Sequence, residues 1–153
     1  MAGTIRAALD RIKTVEEGLS ITLPVEQDIK RVYKYFPHQG VMPEVPCFMH
    51  TYSLPRVEHF PSGIRRQVYT VRTQFLSGDA DQDQAADIAS AFLAEWLDAF
   101  SNDLTLNGNC TGPLVVRGAD PTLADLEYAG KHWVGLDLLM EVTFGPEGVT
   151  VGP

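Results

Sequence analysis

The alternation of apolar and polar residues is most regular near the C-terminus, where it predicts a long strand. From His132 to Phe144 every second residue is apolar, which defines one face of a strand: Val134, Leu136, Leu138, Met140, Val142 and Phe144. The opposite face is mixed and includes Trp133, Asp137 and Glu141. These thirteen residues, extended at about 3.3 Å each, span about 43 Å, more than a typical strand. We therefore expect this strand to reach contacts beyond its own domain.

A second alternating segment, from Arg66 to Leu76, leads into a helical pattern. Its two faces differ, with one set of residues opposite another: Tyr69, Val71, Thr73 and Phe75 against Arg66, Val68, Thr70, Arg72 and Gln74. Gly78 is expected to end the strand. Apolar residues then recur at helical spacing and predict one buried stripe: Ala85, Ile88, Ala89, Phe92, Trp96, Ala99 and Phe100.

The N-terminal third gives weaker patterns. Thr4–Glu17 fits an amphipathic helix that Gly18 ends. The segment 18–46 is irregular because four prolines interrupt it, although Val25–Phe36 also fits a short helix.

Two further strands are predicted from short apolar runs. The first lies within Pro46–Leu54, and a proline-bracketed loop follows it at 55–63. The second is Leu114–Arg117, and 120–127 is expected to be a loop or a single turn. With the two long segments, these runs give four strands.

The order of the elements predicts an α+β fold. Strand pairs separated by one helix fit a four-stranded antiparallel sheet with helices on one face, and a mixed sheet is the alternative. A length of 153 residues fits a single domain, 1–153. We divide it into an N-terminal helix at 1–17, an irregular segment at 18–46, a core of sheet and helix at 47–145 and a flexible tail at 146–153.

Composition and charge narrow the class of protein. The apolar fraction of 44% is ordinary for a globular chain, and no apolar run is long enough to span a membrane. The net charge of −8 is uneven, since residues 1–76 carry ten Lys or Arg and seven Asp or Glu, whereas residues 77–153 carry two and thirteen. A nucleic-acid-binding protein would carry a basic stripe instead. We expect a cytoplasmic protein, or one inside an assembled particle.

The acidic hinge between strand and helix has the outline of a calcium loop but lacks two of its parts. Asp79, Asp81 and Asp83 match positions 1, 3 and 5 of an EF-hand loop. Gln84 stands where that loop requires glycine, and Ser90 stands where it requires a bidentate glutamate. Acidic residues at a helix start explain the same pattern through capping and the helix dipole. The hinge therefore predicts no metal.

The histidines and cysteines also give no site. Four histidines lie on separate predicted elements: His38, His50, His59 and His132. None forms the i, i+4 pair of a helical zinc site, although His50 and His132 could approach across the sheet. Cys47 and Cys110 are too few for a disulfide framework and are expected in the core, in a reducing compartment. No catalytic residue, metal or cofactor is predicted.

One basic concentration remains, formed by Arg56, Arg65, Arg66 and Arg72. A solvated strand face that protects a sheet edge explains it without a partner. The alternative is a contact patch for an acidic partner, such as the acidic half of an identical neighbour. Contacts of that kind run head to tail and close into a ring when the rotation allows.

Three stretches occur in an order seen in one class of viral proteins: Gln67–Arg72 followed by Gly78 and the acidic hinge, the alanine-rich helix Gln84–Leu93, and Tyr128–Val142. Through them and its order of elements, the chain resembles the tail terminator (tail-completion or minor tail) proteins of long-tailed bacteriophages. The resemblance covers most of residues 1–145.

The resemblance implies an assembly role rather than an enzymatic one. Proteins of this family form a hexameric ring on the last layer of the tail tube and end its growth. The implied partners are other copies of the chain, the tail tube protein and a head-completion or connector protein. DNA passes through the ring without sequence-specific binding. The implied location is the head-proximal end of the virion tail, assembled in the host cytoplasm, without a membrane.

The loop at 55–63 and the final strand are our candidates for contacts with neighbours or the tail tube. The residues that we select are Arg56, His59, Phe60, Arg65, Arg66, Arg72, Trp133 and Glu141. Three alternatives stay open. The first is a head-closure or neck protein. The second is a small metal-dependent hydrolase that uses His50, His59 or His132, and the third is a domain with a ligand pocket between helix and sheet.

Overall fold

The computed structural model describes residues 4–36, 42–63, 65–79, 84–110, 115–117 and 123–145. Its helices are α1 (Ile5–Glu17) and α2 (Ala85–Ser101). Its strands follow in chain order: β1 (Ser20–Ile21), β2 (Gln27–Asp28), β3 (Arg31–Tyr33), β4 (Cys47–Tyr52), β5 (Arg56–His59), β6 (Arg65–Asp79), β7 (Val115–Arg117), β8 (Leu123–Tyr128) and β9 (Lys131–Phe144). The tail expected at 146–153 lies outside the described residues.

Two long antiparallel strands, β6 and β9, form the centre of the sheet. Their pairing extends from Gln67 opposite Phe144 to Asp79 opposite Trp133. On the free edge of β6, β4 and β5 lie end to end, and β3 pairs with β4. On the free edge of β9, β7 and β8 lie end to end. Within the described residues this gives a sheet of seven strands, and β1 and β2 form a separate pair.

The predicted α+β class is confirmed, but the prediction of four strands is wrong. The four predicted strands are present as β4, β6, β7 and β9, and the described residues add β3, β5 and β8 to the same sheet. The sheet is mixed because β3 runs parallel to β4, while the other pairs are antiparallel.

Three local predictions are also wrong. The short helix expected at Val25–Phe36 is replaced by β2 and β3, and the loops expected at 55–63 and 120–127 contain β5 and β8. Of these strands, β3, β5 and β8 each lie along a longer one, whereas β2 pairs with the equally short β1. Val32, for example, pairs with Phe48 and is buried. Strand formation at such positions depends on the neighbouring strand more than on the local sequence.

The junction between β6 and α2 differs from its prediction. Gly78 does not end the strand, because pairing with β9 continues after a register shift that follows Leu76. Ser77 lies at this shift and is buried. Its hydroxyl lies 2.8 Å from the carbonyl oxygen of Ala85 and 2.8 Å from that of Val134, so the two carbonyls share its single hydrogen as acceptors. One serine therefore ties the start of α2 to both central strands.

The start of α2 is not capped in the expected way. Its N-cap residue is Gln84, whose side chain makes no capping hydrogen bond. Asp87 lies in the first turn, where negative charge is favourable. Asp81 and Asp83 lie outside the described residues.

Both helices pack on one face of the sheet and form the main core. The predicted α2 stripe is confirmed, since all of its residues are buried except Ala99, which is partly buried. Phe75 of β6 lies between Phe48 and Phe92, with ring centroids at 4.8 and 5.1 Å. α1 adds fully buried residues: Ala8, Leu9 and Ile12.

A smaller apolar cluster covers part of the opposite face. Cys47 and Met49 of β4, Leu76 of β6 and Trp133 of β9 are all buried in it. The indole N–H of Trp133 donates to the carbonyl oxygen of Tyr128 at 2.8 Å. Part of this face is therefore packed, although no helix of the described chain lies over it.

The length of β9 is used inside the chain. β6 pairs with Trp133–Phe144 on one side, and β8 and β7 pair with 131–136 and 139–141 on the other. The expectation that this strand extends past its own domain is therefore wrong, because its length matches that of β6 beside it.

Gly135 lies so close to β6 that a larger residue does not fit. A Cβ atom at this position would lie 1.8 Å from the carbonyl oxygen of Phe75 and 2.9 Å from its carbonyl carbon. Because both are backbone atoms, relief requires the two central strands to separate. We expect Gly135→Ala to lower the free energy of unfolding by about 1–3 kcal/mol or more, as measured by urea denaturation.

Gly18→Ala is the matched control. There a Cβ atom would lie 3.6 Å from the carbonyl oxygen of Val15, at an ordinary φ of −88°. The expected change is within about 0.5 kcal/mol. Equal losses in the two variants would contradict the close approach at Gly135.

Candidate functional site

A buried polar network joins both helices to the sheet. Glu16 of α1 and His50 of β4 are fully buried, and His50 Nε2 lies 2.6 Å from Glu16 Oε1. Trp96 Nε1 of α2 donates to Glu16 Oε2 at 2.8 Å. His50 Nδ1 lies 3.0 Å from the carbonyl oxygen of Tyr33. One carboxylate therefore connects α1, α2 and the sheet.

The partners of His50 determine where its hydrogens lie. A carbonyl oxygen only accepts, so Nδ1 carries a hydrogen and donates it to Tyr33. The next proton lies between Nε2 and the Glu16 carboxylate. Burial by itself lowers the pKa of His50, but the charge and hydrogen bond of Glu16, with backbone hydrogen bonds at Tyr33 and Lys34, raise it above 6.5 overall. The site therefore favours an imidazolium paired with a carboxylate.

This network is structural rather than catalytic. Glu16, His50 and Trp96 are each 0% exposed, so a substrate in solvent cannot reach them. Thr73, opposite His50 on β6, is also buried, and its hydroxyl has no hydrogen-bond partner among the described residues. The network therefore fixes how the helices pack on the sheet, and it makes the stability of the fold depend on pH.

The His50–Glu16 pair predicts that stability falls as pH rises. A histidine whose pKa is raised by folding contributes stability below its unfolded pKa and loses that contribution as the pH rises through the folded pKa. We expect the free energy of unfolding to decrease from about pH 6.5 upward, and the His50→Gln variant to lack this decrease. Urea denaturation at a series of pH values measures it.

The exposed His59 provides the control for that measurement. His59→Gln should keep the wild-type pH dependence, because its imidazole is at the surface. An NMR titration of the wild-type imidazole nitrogens gives the folded pKa of His50 even where His50→Gln folds poorly. A folded pKa below the unfolded value would contradict the proposed pairing.

Two adjacent glutamates on α1 separate the effect of burial from that of charge. Glu16→Ala leaves His50 and the Trp96 indole without their partner, so we expect a loss of about 3–5 kcal/mol in the free energy of unfolding. Glu17 is exposed on the same helix, and Glu17→Ala should change it by less than about 0.5 kcal/mol. Thermal and urea unfolding of both variants measure the difference, and similar losses would contradict the network.

The structure separates the histidines that a metal-dependent hydrolase would bring together. His59 is exposed on β5, whereas His50 pairs with Thr73, which in turn pairs with Leu138. His132 lies six residues from Leu138, about 20 Å along β9. The possible approach of His50 and His132 across the sheet therefore does not occur. In the part of the chain that the structure describes, no group of three His, Cys, Asp or Glu could hold a metal ion.

Both cysteines are buried, as predicted. Burial raises the pKa of the Cys47 thiol to about 12 and that of Cys110 to about 11. Because the thiolate is the reactive form, neither is a good nucleophile at neutral pH. His38 lies outside the described residues.

The space between the helices and the sheet is filled by side chains. Phe75, Phe92 and Trp96 are fully buried there. Two surface depressions lined by described residues lie outside this space, one beside Glu26, Gln27, Asp28 and Lys30 and one beside Glu127–Gly130. A ligand pocket between helix and sheet therefore gains no support from this packing.

The arginines selected from the sequence are largely paired within the chain. Arg66 and Arg56 both donate to Glu58, and these hydrogen bonds lower the pKa of that carboxyl. Arg56 also lies 3.7 Å from Glu141. The guanidinium of Arg66 covers the ring of Phe60 at 5.4 Å. This part of the sheet face thus carries balanced rather than positive charge.

Arg72 and Arg65 differ in this respect. Arg72 forms a bidentate ion pair with Asp137, with hydrogen bonds of 2.9 and 2.8 Å. This pair lies on the sheet face opposite the helices, here called the outer face. Arg65 lies opposite His59 in the β5–β6 pairing, is exposed, and makes no ion pair with the described residues. Of the four arginines, Arg65 alone has no acidic partner among the described residues.

β5 and the start of β6 form a hairpin, here called the arm (residues 53–63 and 65–68). β5 makes its main contacts with β6 alone, and no helix covers it in the described structure. Leu54 is 89% exposed and Val57 46% exposed. Alternate residues of a strand share a face. Val57 therefore lies on the same face of the arm as His59 and its partner Arg65, whereas Arg56 lies on the opposite face with Glu58.

An aromatic row continues from the arm across the sheet. Tyr52 at the base of the arm lies 6.4 Å from Tyr35 and 5.8 Å from Tyr69, measured between ring centroids. Tyr69 lies 5.6 Å from Phe144. Tyr35 and Tyr52 are exposed, and the row ends in buried Phe144. Tyr35 and Tyr52 therefore add exposed aromatic surface at the base of the arm.

The outer face of α2 has the opposite character. Asp87, Glu95 and Asp98 are exposed and form no ion pair with the described residues. Leu97, which directly precedes Asp98, is 38% exposed. Leu104, three residues beyond the end of the helix, is 46% exposed. This face combines apolar residues with charge of one sign only.

The contact residues predicted from sequence therefore fall in three places. The arm holds five: Arg56, His59, Phe60, Arg65 and Arg66. Arg72 and Glu141 lie on the neighbouring sheet face, and Trp133 is 4% exposed in the smaller cluster, so it offers little surface for contact. Sequence reasoning found the arm segment but not its hairpin, and it missed the Glu16–His50 pair, for which no local pattern exists.

Comparison with known proteins finds no family model that matches the chain and no curated protein with significant sequence similarity to it. Among the described residues, neither helix has the length and apolar character needed to cross a membrane.

Proposed function

We propose that this chain is a structural protein of the phage tail terminator class. It forms a hexameric ring on the end of the tail tube, ends tube growth and joins the tail to head-completion proteins. The observation that carries this proposal is the arm, whose exposed apolar surface includes Leu54 and Val57. Exposed apolar surface of this kind is typical of protein interaction sites.

The distribution of polar groups supports an assembly role over a catalytic one. The buried titratable pair, Glu16 and His50, is sealed in the core, and the arginines of the outer sheet face are matched by carboxylates. An assembly protein requires rigid surfaces for its partners, and a packed α+β core provides them. The acidic surface of α2 also suits a particle through which DNA passes without binding.

The tube-capping test uses the purified chain and a tail tube protein from the genome that encodes it. We expect the wild-type chain, added during tube polymerisation, to shorten the tubes and to sit as a ring at one end in negative-stain electron micrographs. The arm variant Leu54→Asp/Val57→Asp should lose this effect. Leu23→Asp is the matched control, because Leu23 is 77% exposed outside the arm.

Each other outcome assigns a different role. Tubes of unchanged length without bound rings would overturn the tail terminator proposal. Binding to the head connector protein while tubes stay bare would indicate a head-closure or neck component instead. Loss of capping by Leu23→Asp as well would mean that the arm has no special part in it.

A further inference from the structure

We propose that the arm of one copy docks on the outer face of α2 in the next copy. This inference rests on the proposed ring, and it names the two surfaces that build it. The contact would be heterologous, meaning that two different patches of the same chain meet head to tail. Such contacts produce a closed ring when the rotation between copies returns to its start.

The arm supplies an apolar surface with positive charge. Leu54, Val57 and Tyr52 are 89%, 46% and 37% exposed. Arg65 lies on the same face as Val57 and makes no ion pair with the described residues, whereas Arg56 and Arg66 on the other face are held by Glu58. The charge that is left for a partner is therefore on the apolar side of the arm.

The outer face of α2 supplies the complement. Leu97 and, beyond the helix end, Leu104 are 38% and 46% exposed. The exposed residues of α2 also include carboxylates without an ion pair among the described residues, of which Asp98 directly follows Leu97: Asp87, Glu95 and Asp98. No Lys or Arg occurs between Arg72 and Arg117 that could neutralise them from the same segment. Apolar contact and opposite charge thus match across the two surfaces.

A second copy of the chain fits this surface better than an unrelated partner. The two patches have opposite charge and both carry exposed leucine. Within the described chain β5 makes its main contacts with β6 rather than with α2. A contact between two copies satisfies both patches at once. Charge complementarity of this kind also makes assembly sensitive to salt, since exposed ion pairs are screened.

The two patches can be broken separately, which gives a complementation test. The arm variant is Leu54→Asp/Val57→Asp, and the helix variants are Leu97→Asp and, one turn earlier on α2, Ala94→Asp. Each keeps one patch intact. We expect each variant alone to be monomeric by size-exclusion chromatography with light scattering. An equimolar mixture of arm and helix variants should form a dimer and nothing larger, because only one good contact remains.

The outcomes discriminate between modes of contact. Helix variants that still assemble like the wild type would overturn the proposal, since the arm then docks elsewhere. A mixture that stays monomeric, or a wild-type chain that is monomeric at every concentration, would overturn it too. Leu23→Asp should assemble normally, and circular dichroism must give wild-type helix content for each variant, with Ala94→Asp replacing Leu97→Asp where the latter is altered.

The result is independent of the tube-capping test. A wild-type chain that assembles through arm and α2 but leaves tubes unchanged would support this contact and overturn the tail terminator role. If the wild-type chain caps tubes and the helix variants also assemble and cap them, the tail terminator role is supported and the contact between arm and α2 is overturned. Raising the salt concentration from about 0.05 to about 0.5 M should shift the wild type toward monomer.

Discussion

The pairing of β6 with β9 is the constraint on which the rest of the structure depends. It joins two strands of 15 and 14 residues along almost their whole length. β4, β5, β7 and β8 pair with their free edges, and β3 pairs with β4. The close backbone approach at Gly135 and the register shift beside Ser77 both lie within this pairing. The shift also sets the start of α2, because the Ser77 hydroxyl binds the first helical carbonyl.

The helices are held to this sheet by apolar packing and by one buried charge. Phe75, Phe92 and Trp96 fill the interface, as the hydrophobic stripe of α2 requires. Glu16 fixes the relative orientation of these elements, because its two carboxylate oxygens bind His50 on the sheet and Trp96 on the second helix. A buried ion pair contributes little net stability on its own, but removing one partner is costly. It therefore fixes how α1 sits against α2 and the sheet.

The surface divides along the same lines as the fold. The helical face of the sheet is covered by α1 and α2 until it reaches the arm, where the aromatic row around Tyr52 is left exposed. The outer face is covered instead by the small cluster around Trp133 and by arginine–carboxylate pairs. Among the described residues, the arm therefore carries exposed apolar side chains, and the outer face of α2 carries carboxylates without ion pairs. The proposed assembly brings these two surfaces, the arm and the outer face of α2, into contact.

The sequence by itself determined the elements whose side-chain period is strong, namely α1, α2, β6 and β9, because burial of one face imposes that period on the residues. It also predicted burial of the cysteines. Tertiary structure decided the short strands β3, β5 and β8, whose hydrogen bonds come from neighbouring strands and leave little local signature. It alone brought Glu16 to His50, and it alone left Arg65 without an acidic neighbour among the described residues while Arg56, Arg66 and Arg72 were paired. Side-chain period records which face is buried, whereas contacts between distant residues exist only once the chain has folded.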